Sequence, residues 1–138
     1  MAGFMSKLQG YVYEGELVNG AADAVQNGIL MVQNGNALEL PSAESTSKFV
    51  CKEVTTFYDG VTAYRFVVDK LNKRYYLVEN GADINDSAAY DKRTYTTPVG
   101  AELRAHPLLV GEEFITDMVT GSPVAGTAYG VQADGTIG

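Results

Sequence analysis

The chain has no tryptophan, one cysteine and one histidine. A lone Cys51 excludes an intramolecular disulfide and a cysteine-built metal cage within one chain. A lone His106 leaves no second imidazole for a histidine-based metal site. No apolar run approaches the ~20 residues that a membrane span needs, so no membrane partner is expected. The opening stretch MAGFMSKLQGYVYEGELVNG has neither the basic region nor the long apolar core of a secretory signal, which predicts synthesis in a reducing cytoplasm. Basic residues are also scarce. Ten Lys and Arg stand against 17 Asp and Glu, a net charge of −7, which argues against a nucleic-acid partner whose phosphates reward clustered cations. Neither a phosphate-cradling Gly-Lys-Thr motif nor a dinucleotide fingerprint occurs, so no cofactor is expected.

What is present points to strands. A chain of 138 residues with 46% apolar content can build one core, and 15 glycines with frequent Asn-Gly and Asp-Gly pairs favour many short strands over a few helices. The fold class expected is mainly β: a small β-barrel or β-sandwich of seven or eight strands with an extended N-terminal arm. Residues 1–20 form the arm and residues 21–138 a single β-rich domain. The arm carries Phe4, Tyr11 and Tyr13 along a glycine-punctuated segment too poor in apolar residues for a core of its own. It is expected to be disordered alone and to order against a partner, with those three aromatics as anchors.

Along the body, AADAVQN at 21–27 suggests one weak helical turn. GILMV at 28–32 and Ala37 to Leu40 read as a hairpin around Asn34-Gly35. PSAESTS at 41–47 reads as a polar loop, and Lys48 to Thr56 as a strand containing Cys51, a small buried apolar side chain in this reading. TAYRFVVD at 62–69 and RYYLVE at 74–79 are rich in β-branched and aromatic residues and predict a central hairpin with Tyr64, Phe66 and Val68 facing the core. Residues 81–100 form a polar excursion of the length typical of binding or insertion loops. Glu113 to Val119 alternates cleanly, Thr120-Gly121-Ser122-Pro123 supplies turn chemistry, and Thr127 to Val131 follows, which predicts a terminal hairpin.

Reactive chemistry is hard to assemble. His106 sits in RAHPLL without serine or carboxylate neighbours and reads as an exposed or capping residue. Asp83, Asp86 and Asp91 share a loop but lack calcium-loop spacing. Glu112 and Glu113 would point to opposite faces of a strand. The one basic cluster is Lys70, Lys73 and Arg74, with Lys92 and Arg93. It lies in the only section of positive net charge: residues 1–47 sum to −4, 48–104 to +1 and 105–138 to −4. It reads as a solvated tip or as a contact for an acidic protein surface.

With YVYEGELVNG near the start, a short apolar strand ending in Asn-Gly, a middle Ala-Tyr-Arg-Phe strand and the closing GEEFITDMVTG…YGVQADGTIG, the chain resembles capsid decoration (cement) proteins of tailed phages. The loop at 81–100 departs from that layout. The resemblance implies a non-enzymatic virion protein, made in the host cytoplasm and bound in many copies to the capsid exterior. Its partner would be the major capsid protein, with copies of itself as a further partner. Two readings compete. A carbohydrate-binding or host-attachment module is favoured by nine tyrosines and disfavoured by the missing tryptophan. A small enzyme would need a constellation that cannot be assembled here.

Overall fold

The computed structural model describes Met5–Lys7 as a strand, together with residues 17–58, 60–80 and 95–138. Among them there is strand and turn but no helix. In chain order the strands are β1 (Met5–Lys7), β2 (Val18–Asn19), β3 (Val25–Gln26), β4 (Leu30–Asn34), β5 (Ala37–Glu39), β6 (Glu44–Thr56), β7 (Thr62–Lys70), β8 (Tyr76–Val78), β9 (Thr96–Thr97), β10 (Ala105–Pro107), β11 (Glu113–Thr116) and β12 (Ala128–Val131). The fold is mainly β, as the sequence predicts. The larger number of strands arises because several are bridges of only two residues, such as β2, β3 and β9.

The two longest strands organise the body. β6 and β7 pair antiparallel from Lys48↔Lys70 to Thr56↔Thr62, with register shifts after Lys48 and after Cys51. They sit inside a five-stranded sheet of order β1-β11-β7-β6-β12. Alternation puts Phe49 and Cys51 of β6, Tyr64, Phe66 and Val68 of β7, and Phe114 of β11 on its inner face, all buried. Phe114 lies 5.9 Å from Phe66 and 6.1 Å from Phe49 between ring centroids, and Phe49 lies 6.2 Å from Tyr75 across the core. These are the tilted and edge-on arrangements that aromatic quadrupoles favour.

A second five-stranded sheet, β10-β8-β4-β5-β2, faces the first. Its central strands are buried on both faces. Leu30, Tyr75 and Leu77 join the core between the sheets, while Met31, Tyr76, Val78 and Ala105 join a second core on the far side with Leu17, Val25 and Leu103. The β3–β9 pair lies over that second core, to which β3 contributes Val25. A strand with two buried faces reads as a continuous apolar run, and YYLV at 75–78 does so.

The first sheet curls into a half-barrel. Ile137 closes it, bridging antiparallel to Val131 at the end of β12 and parallel to Val119 beyond β11. The Thr120 amide donates to the Ile137 carbonyl at 3.0 Å, and the Leu30 amide of the facing sheet donates to Gly135 at 2.8 Å. β12 runs so close to β6 that a Cβ on Gly130 would sit 2.5 Å from the Glu44 carbonyl oxygen. Only glycine fits there.

Several sequence expectations are corrected. Thr62 to Glu79 is not a hairpin, because β7 has both edges occupied, by β6 and β11, and Leu71 turns into the core and carries the chain to the facing sheet. Nor do Glu113–Thr116 and Ala128–Val131 pair with each other. β11 lies between β1 and β7, so β12 goes to the far edge beside β6. AADAVQN forms bends and β3 rather than a helical turn, and β6 begins at Glu44, inside the expected loop. The β4–β5 hairpin around Gly35 is as expected. Met5–Lys7, assigned to a free arm, pairs with β11 of the same chain, Met5↔Thr116 to Lys7↔Phe114.

Because Ile137 is buried where the curled sheet closes, Ile137→Ala is expected to lower stability by about 2–5 kcal/mol. Urea unfolding checks this, and an unchanged midpoint would mean that the closure carries no load.

Candidate functional site

The residues expected at a site fall into two groups. Phe4, Tyr11 and Tyr13 lie outside the described residues, as do Asp83, Asp86, Asp91, Lys92 and Arg93. Lys70, Lys73 and Arg74 are all exposed, where β7 ends and the chain crosses to β8. Register places Lys48 of β6 directly opposite Lys70, so a cation that the sequence analysis did not assign joins the same end. Strand pairing alone brings them together, since Lys48 lies in another segment.

His106 is buried, which corrects the expectation of an exposed residue. Its Nε2 meets Glu79 Oε1 at 2.5 Å, while Nδ1 has no hydrogen-bond partner among the described residues. Nearby, Asn80 exchanges hydrogen bonds with Asn27 and donates to Thr97 Oγ1 and the Glu102 carbonyl, both at 2.9 Å. This amide cluster joins Asn80 to Thr97 and Glu102, which follow residues 81–94 in the chain. Cys51 is buried, and burial pushes its thiol up. A thiol so placed is a packing residue rather than a nucleophile.

The strongest electrostatic feature is Glu44. Its carboxylate accepts from the Thr46 amide at 2.9 Å, the Ser47 amide at 3.0 Å and the Tyr75 hydroxyl at 2.7 Å. Burial would raise this carboxyl, but the hydrogen bonds from Ser47, Tyr75 and Thr46 outweigh it and bring it from 4.5 down to about 2. Burial first, and then Glu44, push the Tyr75 hydroxyl up, so it remains a donor. The pair joins the start of β6 to the facing sheet.

At the other end of β7 the first sheet narrows to two strands. β11 stops pairing with β7 at Tyr64, and β12 stops pairing with β6 at Val50. Beyond these points Thr55–Thr56 and Thr62–Ala63 continue as a two-stranded ribbon. At its tip Phe57 is partly exposed and Tyr58 wholly so. A turn fixes the tip, with the Gly60 amide donating to the Phe57 carbonyl at 2.9 Å and the Phe57 amide to Val61 at 2.8 Å. Alongside the ribbon, as far as Gly60 at its tip, a hollow of about 460 Å³ is lined by Gln26, Gly60, Thr62, Tyr64, Asp117 and Met118. The sequence marks Tyr58 only as a turn neighbour; the projection follows from where the flanking strands end.

Among the described residues no group of three or more His, Cys, Asp or Glu side chains is placed to hold a metal. No family model, curated protein or solved structure matches the chain.

Glu44 gives a pH dependence of definite sign. Its folded pKa lies below its ordinary value, so its stabilisation is present above about 4.5 and is lost as pH falls toward about 2. Glu44→Gln should be less stable than wild type at neutral pH, and that difference should shrink across this window. Denaturant melts at a series of pH values check it; a constant difference would refute the assignment.

Proposed function

We propose that the chain is a structural virion protein that binds the outside of a phage capsid in many copies and stabilises it, without enzymatic activity. The reading is supported by the layout of the sequence, and the observation that carries it is the segregation of charge. A molecule of net charge −7 gathers Lys48, Lys70, Lys73 and Arg74 at one end. An acidic protein with one basic end is suited to seat on an acidic shell in a defined orientation. The partner is the major capsid protein, and neighbouring copies of the chain supply lateral contacts. Phe4, Tyr11 and Tyr13 act as arm anchors, since aromatic side chains in pockets carry a disproportionate share of binding energy.

A second reading, a carbohydrate-binding or host-attachment module of a virion, is favoured by Tyr58 and Phe57. An exposed tyrosine on a fixed turn offers a flat apolar face with a polar edge, the chemistry against which sugar rings stack. The two readings use opposite ends of β7.

Capsids purified from a phage mutant lacking this chain should bind the full-length protein and gain resistance to heat. Phe4→Ala/Tyr11→Ala/Tyr13→Ala, which spares the β1 strand that deletion of residues 2–14 would remove from the sheet, should weaken binding, and failure of the full-length chain to bind would end the reading. For the second reading, Tyr58→Ala should abolish retention on immobilised host cell-wall glycan while leaving capsid binding intact. Equal retention of both proteins would remove it.

A further inference from the structure

Two turns meet where β7 ends and β8 begins. The first, 109–112, leads into β11. The Glu112 amide donates to the Leu109 carbonyl at 3.1 Å, and the Leu109 amide donates to Glu112 Oε1 at 2.8 Å. Gly111, with φ of 93°, takes a conformation that other residues rarely adopt. Glu112 is buried, so its carboxylate serves the turn rather than the solvent. The second turn, 71–74, is fixed by Leu71, packed on the core, and by the Asn72 amide, which donates to Ser47 Oγ at 2.8 Å. Backbone hydrogen bonds tie this end together: Leu108 N–H to the Tyr75 carbonyl at 3.0 Å and Gly111 N–H to the Val68 carbonyl at 2.7 Å.

This framework holds out two adjacent aliphatic side chains, Leu109 at 51% exposure and Val110 at 62%. The hydrogen bonds from Gly111 to Val68 and from Leu108 to Tyr75 set this turn beside the 69–74 connection, which carries Lys70, Lys73 and Arg74. Lys48 stands opposite Lys70. None of these four cations makes an ion pair among the described residues, and Asp69 is the one exposed carboxylate in the same connection. Like charges directly opposed on a ladder disfavour the free protein, and carboxylates from a partner would relieve that opposition.

We infer that this end is a docking foot for an acidic protein surface. Leu109 and Val110 fill an apolar hollow, and Lys48, Lys70, Lys73 and Arg74 form the rim opposite carboxylates. An apolar centre with a charged rim is the ordinary anatomy of a protein interface, and a turn already locked loses little freedom on binding. Charge complementarity selects the acidic partner. A lipid surface fits less well, because interfacial anchoring draws on aromatic side chains, and among the described residues the large exposed aromatics, Phe57 and Tyr58, lie at the opposite end of β7. The inference rests on the capsid reading and names its contact surface.

The test measures binding of the full chain, of Leu109→Ser/Val110→Ser and of Lys70→Glu/Lys73→Glu/Arg74→Glu to capsids lacking the protein. Wild type should bind with an affinity that falls as NaCl is added, and each variant should bind about tenfold or more weakly with an unchanged melting temperature. Val110→Ser and Lys73→Glu alone serve if a multiple variant is less stable, with weakening in the same direction. Wild-type binding that neither variant alters overturns the foot and leaves the capsid reading standing. Absence of wild-type binding overturns the capsid reading and this partner together. Flotation of wild type, but not the variants, with phosphatidylglycerol vesicles would make the occupant a lipid and overturn the inference.

Discussion

Both edges of β7 are occupied, and most of the architecture follows from that constraint. A strand has two hydrogen-bonding edges, and β6 and β11 take those of β7. The segment after β7 therefore has no edge to join and must cross to the facing sheet, with Leu71 drawn into the core on the way. The same exclusion sends β12 past β11 to the far side of β6, where Gly130 permits the close approach. The sheet must then curl for its distant ends to meet, and Ile137 joins them.

This constraint also marks the limit of what could be read from the chain. Strand character was legible wherever local chemistry decides it. The alternation of Tyr64, Phe66 and Val68 gave the buried face of β7, and Asn34-Gly35 gave the one hairpin correctly identified. Partnership was not legible. Lys70-Leu71-Asn72-Lys73 and Thr120-Gly121-Ser122-Pro123 carry ordinary turn signals, but a turn signal states only that the chain bends. Whether the next strand returns depends on which edges remain vacant, a property of the assembled sheet.

The candidate site was legible in a similarly partial way. Lys70, Lys73 and Arg74 are close in sequence and stand out in an acidic chain. Lys48 and the Leu109–Val110 turn join them only through register and backbone hydrogen bonding. Tyr58 was hidden for a different reason. Its exposure comes from two other strands stopping short at Tyr64 and Val50, which no local pattern around residue 58 encodes. His106 shows the reverse: a polar residue beside a proline reads as surface, yet the Glu79 carboxylate makes its burial tolerable.

The ladders joining β6, β7 and β11 have a mechanical consequence. Their hydrogen bonds run across the strands, while the basic end and the aromatic ribbon lie at opposite ends of β7, about 26 Å apart along it. A force that held one end and pulled the other would act along the strand axis. The share entering at Lys70 would run down the β7 backbone itself, and the share entering through the 109–112 turn and β11 would load the β11–β7 bonds in shear rather than peel them open one after another. The body is thus built to transmit tension between its two ends without unzipping, whatever each end holds.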